Sequence, residues 1–213
     1  MMQYSTIAVL GGTGRTGQFL LMQLLQEGYH IKALVRNPPT CLIRHPNLRF
    51  VIGDALDYQV IEALLAGTQA VMSTIGQRSG EPLVAAKVTE HLLRAMAFHD
   101  IDRYIVLAGL NVDAPTDYKG PDTLQATLWM QQTYPLVHHD RQLSVQLLQS
   151  SSLSWTMLRV PYIRFEAGNQ AFRIDLMDCP GNYVYAGDIA FQMTQMLSDA
   201  SYIGEAPFMT SNH

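Results

Sequence analysis

The chain of 213 residues is 48% hydrophobic and 15% charged, and a chain of this length buries roughly 70% of its unfolded surface in one core. Its formal net charge of −4 argues against nucleic acid and anionic membrane surfaces as partners, because no overall positive field attracts their phosphates. Cys41 and Cys179 form no disulfide or metal motif. We find neither a signal-peptide pattern nor the run of about 20 apolar residues that spans a membrane, and we therefore expect a cytoplasmic protein.

The order of strand and helix patterns predicts the class of fold. In chain order, the sequence predicts a strand at 5–10, a helix at 15–27, strands at 30–35 and 48–52, a helix through 60–65 that Asp57 caps, a strand at 70–74, a helix at 82–99, a strand at 103–108, helices at 123–132 and 137–149, and a strand at 154–158. This alternation is typical of an α/β fold in which helices connect the strands of a parallel sheet.

Two segments are less regular. Residues 111–122 are polar and rich in Gly, Pro and Asp, and we interpret this stretch as a functional loop because it is too long for a simple connection. The last quarter of the chain predicts strands at 172–176, 182–185 and 207–210 and a helix at 188–197. Since no linker or internal repeat is found, we expect one domain over residues 1–213, in which residues 159–213 complete a substrate pocket at the carboxyl edge of the sheet.

A glycine-rich loop follows the first predicted strand and opens the first predicted helix. Gly12, Gly14 and Gly17 fit the pattern G-x-G-x-x-G. Such a loop directs free backbone N–H groups and the positive end of the helix dipole at a pyrophosphate, which predicts a Rossmann dinucleotide site. An ordinary glycine turn is the alternative, whereas a P-loop is excluded because Gln18 stands where its lysine would be. The residues assigned to the pyrophosphate are Gly11, Gly12, Thr13, Gly14, Arg15, Thr16 and Gly17.

The end of the second predicted strand bears on the choice of cofactor. Sites for NAD place an Asp or Glu there, which accepts a hydrogen bond from the ribose 2′-hydroxyl, whereas this chain has Arg36. A guanidinium suits a 2′-phosphate, and Arg15 in the glycine loop adds a second positive charge. We therefore predict that the chain binds NADP(H) in preference to NAD(H); the alternative for both arginines is a solvated surface position.

Two further segments end strands at the same edge of the predicted sheet. Asp54, Ala55 and Leu56 follow the third strand and are candidates for contact with adenine, although Asp54, like Asp57, is also placed to cap the next helix. The second segment ends the fourth strand, where its small residues either let a ribose lie against the backbone or merely form a glycine turn. It comprises Ser73, Thr74, Ile75 and Gly76.

Candidate catalytic residues form a polar cluster after the break at Tyr134. Either His138 or His139 is a candidate proton donor, and Arg141 is a candidate partner for an anionic substrate. The alternative is the start of a helix, with Asp140 near the positive end of its dipole. We predict no metal site, because the two adjacent histidines lack the i, i+4 spacing that brings two imidazoles together.

A second candidate cluster, Tyr162, Arg164 and Glu166, follows the sixth predicted strand. These side chains either face the substrate or anchor an exposed loop.

Taken in this order, the segments resemble the atypical short-chain dehydrogenase/reductases of the NAD(P)H-binding group, which includes flavin reductase/biliverdin-IXβ reductase and a branch of NADP-sensing transcriptional regulators. The resemblance is carried by IAVLGGTGRTG at 7–17, LVR at 34–36, GDALD at 53–57, GQR at 76–78 and SSLSWTMLR at 151–159. It implies a doubly wound Rossmann fold of about seven mainly parallel strands with helices on both faces. It also implies that Arg78 lies near the cofactor phosphates and that Pro161, Tyr162 and Ile163 adjoin the nicotinamide.

The chain departs from the wider superfamily at the catalytic residues. No tyrosine stands four residues before Lys32, Lys87 or Lys119, so the Tyr-x-x-x-Lys pair that shuttles a proton is absent. Gly109 stands where a serine is expected at the end of the fifth strand, and Arg141 stands where the family often has Lys or His. An arginine, with a pKa above ~12, is not an ordinary proton donor.

Two functions are compatible with these residues. We expect an NADPH-dependent reductase that passes hydride to a small, flat, conjugated acceptor such as a flavin, quinone or tetrapyrrole, which takes its proton from water. The alternative is a non-catalytic NADP(H) redox sensor that acts through a protein partner. The catalytic candidates are His139, Arg141 and Tyr162, and the sequence leaves both a monomer and a homodimer open.

Overall fold

The computed structural model describes residues 4–36 and 43–211, so that Cys41 lies outside the described residues. The strands are β1 Thr6–Leu10, β2 His30–Val35, β3 Leu48–Ile52, β4 Ala70–Ser73, β5 Arg103–Gly109, β6 Ser154–Val160, β7 Tyr162–Arg164, β8 Phe172–Asp175, β9 Tyr183–Tyr185 and β10 Phe208–Ser211. The helices are α1 Arg15–Gln26, α2 Tyr58–Leu65, α3 Ala85–Phe98, α4 Pro121–Thr133, α5 Pro135–Gln149 and α6 Ala186–Gln195.

The strand order of the main sheet creates a crevice. Eight strands lie in the order β3-β2-β1-β4-β5-β6-β10-β8, and the neighbours are parallel except for the antiparallel pair β10 and β8. The chain moves outward from β1 through β2 to β3 and then returns to the other side of β1 with β4. This reversal separates the connections that leave β1 and β4, and ligands of doubly wound sheets bind at such a point, outside the carboxyl ends of the strands.

The alternation of side chains along β1 divides the core into two layers. Ile7 and Val9 pack with residues of α1 and α6 on one face of the sheet, whereas Ala8 and Leu10 pack with residues of α2, α3 and α5 on the other. All four are fully buried. A strand covered on both faces has no polar face, which explains the unbroken apolar run in the sequence. The predicted doubly wound α/β fold with helices on both faces is confirmed.

The number of strands differs slightly from the expected seven. The main sheet has eight, and β7 and β9 pair in a separate two-stranded parallel sheet. The sequence pattern does not predict β7, because three residues directly after Pro161 are too few to show an alternation of apolar and polar side chains.

The polar loop after β5 is held by ion pairs of two buried basic side chains, Arg159 and Lys119. Arg159 on β6 is fully buried, and its Nη1 and Nη2 donate to the two carboxylate oxygens of Asp117 at 2.8 and 2.7 Å. In the same loop, Lys119 Nζ lies 2.6 Å from Asp113 Oδ1. The loop is therefore tied to the carboxyl end of β6, next to the crevice.

Neither a membrane-spanning helix nor a cluster of metal-ligating side chains is present in residues 4–36 and 43–211. No helix there is both long and apolar enough to cross a membrane. No three side chains of His, Cys, Asp or Glu in that part of the chain lie close enough together to hold a metal ion.

Candidate functional site

A cleft of about 630 Å³ lies at the carboxyl ends of the strands, around the crevice between β1 and β4. Fifteen of the residues assigned to the site from the sequence line it, among them Arg36, Arg78 and Arg141. The others are Gly11, Thr13, Gly14, Arg15, Thr16, Asp54, Ala55, Thr74, Ile75, Gly76, Pro161 and Ile163.

The glycine loop is packed too closely for side chains. Gly11 has a φ of +76°, and a Cβ there would lie 2.8 Å from the backbone N of Ile75. The carbonyl oxygen of Gly11 accepts a hydrogen bond from the Gly14 N–H at 2.9 Å. A Cβ on Gly17 would overlap that same oxygen. Gly11 therefore lets the end of β1 lie against the segment after β4, and Gly17 lets the first turn of α1 lie against the end of β1.

The beginning of α1 is open to an anion. Gly14 occupies the N-cap position and supplies no side-chain acceptor, and the first turn contains no acidic residue. The first N–H groups of a helix have no partner within the helix, and the helix dipole makes this end positive. Since Gly14, Arg15 and Thr16 line the cleft, a phosphate group fits this place.

Asp54 and Asp57 have separate roles at the end of β3. Asp57 Oδ1 accepts from the Gln59 N–H at 2.9 Å and caps α2. Asp54 Oδ1 accepts from the Leu56 N–H at 2.9 Å, and this exposed carboxylate lines the cleft. Because Asp57 is the cap, Asp54 is available for a ligand at the cleft.

A carboxylate that the sequence does not single out joins two of the predicted arginines. Arg36 Nη1 lies 2.8 Å from Glu81 Oε2, and Arg78 Nη1 lies 3.6 Å from Glu81 Oε1. The hydrogen bond raises the pKa of Arg36 and, together with the charge of both arginines, lowers the pKa of Glu81. No local pattern predicts this contact, because 45 residues separate Arg36 from Glu81 in sequence.

The cleft is apolar where it reaches the ends of β5 and β6. The lining there consists mainly of aliphatic residues and the ring of Phe165, over which the guanidinium of Arg15 lies at 4.1 Å. Gly109 ends β5, and a Cβ on it would lie 2.5 Å from Asn111 Oδ1. The amide of Asn111 thus occupies the space that a serine side chain at Gly109 would need.

Arg141 brings the only positive charge of α5 that lines the cleft in the described structure. Its Nη2 donates to the carbonyl oxygen of Ile75 at 2.8 Å. Burial lowers the pKa of Arg141, although an arginine remains charged at neutral pH. Among the described residues, no carboxylate lies within the 4.0 Å of an ion pair with it.

The carboxylate of the neighbouring Asp140 caps another helix, α3. Its two oxygens accept from the Ala85 and Ala86 N–H groups at 2.8 and 3.1 Å, so that it caps α3, whose own N-cap residue, Val84, offers no side-chain acceptor. The alternative that Asp140 lies near the positive end of its own helix is wrong, since α5 begins five residues earlier and has no acidic residue in its first turn. Its carboxylate lies at the positive end of a different helix.

The remaining predicted residues do not line the cleft. His139 is exposed, and Tyr162 is 72% exposed on β7. His138 is half-buried with Nδ1 3.4 Å from Asn111 Nδ2, and burial lowers its pKa. Gly12, Gly17, Leu56 and Ser73 lie in or beside the lining segments without belonging to the lining. The roles assigned to all these residues stay predictions.

A proton donor is missing from the described lining. It contains no Tyr, His, Lys or Cys, and its only carboxylates are Asp54 and Glu81. Tyr104 lies behind the cleft, fully enclosed, and burial raises its pKa to about 12. A phenol held in this way does not give up its proton near neutral pH.

Comparison with known proteins places the chain in a family. The model of a family described as NAD(P)H-binding matches residues 11–200. Among curated proteins, the photosystem II assembly factor Ycf39 of Cyanophora paradoxa is 26% identical over 111 residues, which are 50% of this chain and 35% of that protein. The chain spans less than two thirds of the length of the curated relatives it matches.

Solved structures share the fold at low sequence identity. The oxidoreductase ylbE of Lactococcus lactis is 19% identical with a TM-score of 0.79, over 97% of this chain and 91% of that one. A short-chain dehydrogenase/reductase of Veillonella parvula, solved in complex with NADP, is 15% identical with a TM-score of 0.78, over 98% and 95% of the two chains. At these identities the similarity establishes the fold alone.

Proposed function

This chain belongs to the NAD(P)H-binding family, and we propose that it is an NADPH-dependent reductase of a flat, conjugated acceptor. The observation that carries the proposal is the contrast between the two ends of the cleft. The end at β2 and β3 presents two arginines and two carboxylates, whereas the end at β5 and β6 is lined mainly by apolar residues, with the guanidinium groups of Arg15 and Arg141 beside them and no proton donor in the described lining.

The residues of the cleft fit a dinucleotide. The open beginning of α1, with glycines where a Cβ would meet backbone, accommodates a pyrophosphate. Asp54 and Ala55 would contact the adenosine, and Arg36 with Arg78 would hold the 2′-phosphate of NADP. The nicotinamide would then lie toward Gly109 and Pro161. When bound, NADPH supplies the hydride.

The apolar end favours an acceptor ring that lies flat and needs no acid from the protein. A flavin, quinone or tetrapyrrole accepts the hydride with both of its electrons, and water provides the proton, so that the products are NADP⁺ and the reduced acceptor. Positioning of the two rings would account for most of the catalysis. Arg141 would stabilise the negative charge that the acceptor gains before it is protonated.

Turnover with a panel of acceptors tests the reaction. We expect the purified protein to oxidise NADPH when FMN, a quinone or a linear tetrapyrrole is added, as measured by loss of the reduced-nicotinamide absorbance. The Gly17→Ala variant is the control, because turnover at the proposed site requires the glycine loop. An NADPH oxidation rate no higher than that of this variant with every acceptor would refute the reductase.

A test of cofactor preference is the Arg36→Asp variant. We expect its affinity for NADP to fall about 30- to 100-fold, because a charge-assisted contact to phosphate is replaced by repulsion, while its affinity for NAD changes about twofold or less. Titration of each nucleotide by calorimetry measures both constants. Arg49→Asp is the matched control, since Arg49 is an exposed cation on the adjacent strand β3, outside the lining. Equal losses for NADP and NAD would contradict the preference.

A second candidate function is a non-catalytic NADP(H) sensor. The described lining without Tyr, His, Lys or Cys favours it, because such a site binds a cofactor without requiring chemistry. We expect a sensor to bind NADP and NADPH without turnover and to retain a protein partner in a manner that depends on the cofactor. Turnover that is lost in Gly17→Ala would decide for the reductase.

A further inference from the structure

Glu81 lies where the proposed 2′-phosphate would bind. Its two carboxylate oxygens face different arginines, at 2.8 Å from Arg36 Nη1 and 3.6 Å from Arg78 Nη1. All three residues line the cleft, and their side chains are between 36% and 62% exposed. The cluster is thus accessible to a ligand in the cleft, and a carboxylate already neutralises both cations.

Hydrogen bonds within the turn between β4 and α3 fix the backbone of Glu81 but not its side chain. Gln77 Nε2 donates to the carbonyl oxygens of Arg78, Glu81 and Pro82 at 3.0, 3.0 and 3.2 Å. The backbone N–H of Glu81 donates to the carbonyl oxygen of Arg78 at 3.3 Å. Because these bonds involve the backbone and Gln77, the Glu81 side chain can rotate away from Arg36 without unfolding the turn.

We propose that the Glu81 carboxylate occupies the 2′-phosphate site when no NADP is bound and competes with the phosphate of NADP for Arg36 and Arg78. This competition reduces the selectivity for NADP over NAD. The inference rests on the proposed binding of NADP. A 2′-phosphate carries more charge than a carboxylate and has three acceptor oxygens, so it displaces Glu81. NAD has only a hydroxyl at this position and leaves Glu81 in contact with both arginines.

The competition lowers the affinity for NADP and leaves the affinity for NAD unchanged. Ion pairs of exposed side chains are weak, so the contacts of Glu81 with the two arginines do not prevent a phosphate from binding there. Each such pair must nevertheless be broken before the phosphate can take its place. Without Glu81, the two guanidinium groups would meet the phosphate unpaired.

The Glu81→Gln variant tests this proposal. We expect NADP to bind about 3- to 10-fold more tightly, because two exposed ion pairs no longer compete, whereas the affinity for NAD stays within about twofold. The affinity for NADP should also fall more steeply with salt, since the phosphate then meets two unpaired cations. Titration of wild type and variant with NADP and with NAD at two salt concentrations gives these values.

Two further variants separate the explanations. Glu90→Gln removes the same charge from an exposed pair with Lys87 on α3, outside the cleft lining, and should leave both affinities unchanged. In the Arg36→Ala background, the gain from Glu81→Gln should shrink to the part contributed by Arg78. A gain of the same size in that background would mean that Glu81 acts through the general field and would overturn the proposal.

Other outcomes are equally decisive. Weaker binding of NADP to Glu81→Gln would mean that Glu81 holds Arg36 in position rather than competing with the ligand. Equal changes for NADP and NAD would mean that Glu81 contacts the part that both share. If Arg36→Asp selectively weakens the binding of NADP while Glu81→Gln does not tighten it, only the role of Glu81 is refuted. If Arg36→Asp weakens the binding of NADP and NAD equally, the proposed preference for NADP is itself refuted.

Discussion

Replacing Gly17 by alanine is expected to weaken NADPH binding about 100-fold or more, because at least two backbone hydrogen bonds to a charged phosphate, each worth about 1.5–3 kcal/mol, would lose their geometry. A Cβ at this position would overlap the carbonyl oxygen of Gly11 and lie 2.7 Å from Gly12 Cα. These atoms belong to the backbone, so no side-chain rotation relieves the overlap. The loop must move away from the first turn of α1.

The affinity is to be measured by titration with NADPH, and circular dichroism is to show that the variant is folded. Gly67→Ala is the matched control. Gly67 follows α2 and lies away from the lining, and a Cβ there meets nothing within 4 Å, so alanine at this position meets no overlap and only the strain of its positive φ, +72°. We expect this control to lose about 1 kcal/mol of stability and no affinity. NADPH binding of Gly17→Ala at the wild-type level would refute the assignment of the loop to the pyrophosphate.

The Asp117→Asn variant is expected to lose about 3–5 kcal/mol of the free energy of unfolding, because it leaves the buried charge of Arg159 without its carboxylate. The two side chains are 0% and 11% exposed, and two parallel hydrogen bonds join them. Asparagine keeps the shape of the side chain but not its charge. Urea denaturation followed by circular dichroism measures the loss.

Two controls accompany this measurement. Glu90→Gln breaks an exposed pair and should cost about 1 kcal/mol or less. Replacing Arg159 by Met and Asp117 by Leu together should recover part of the loss, since two apolar side chains leave no unpaired charge. A loss in Asp117→Asn no larger than in Glu90→Gln would show that the pair does not hold the loop.

The loop also matters for function, because it leaves β5 at Gly109, a residue of the cleft lining. A protein with a loosened loop should therefore bind the acceptor less tightly while keeping its affinity for NADPH, whose proposed site lies mainly at β1, β2 and β4.

The sequence by itself determined the local parts of the site. The apolar strand, the glycines and the helical spacing that follows are all contained within residues 5–27, and each restricts the backbone through near neighbours. The same holds for Arg36 at the end of β2 and for the cap at Asp57. Such features need no knowledge of the sheet order, which is why both the fold class and the position of the cleft were predictable.

Only the tertiary structure decided which distant side chains meet. Arg36 pairs with Glu81 across 45 residues, Asp140 caps α3 across 55, and Arg159 binds Asp117 across 42. The strand order brings the carboxyl ends of β2, β4, β5 and β6 to one edge of the sheet. Which carboxylate pairs with a given arginine depends on the distances that this packing sets. The placement of β10 between β6 and β8 has the same origin, since strand pairing is a contact between segments that no local pattern encodes.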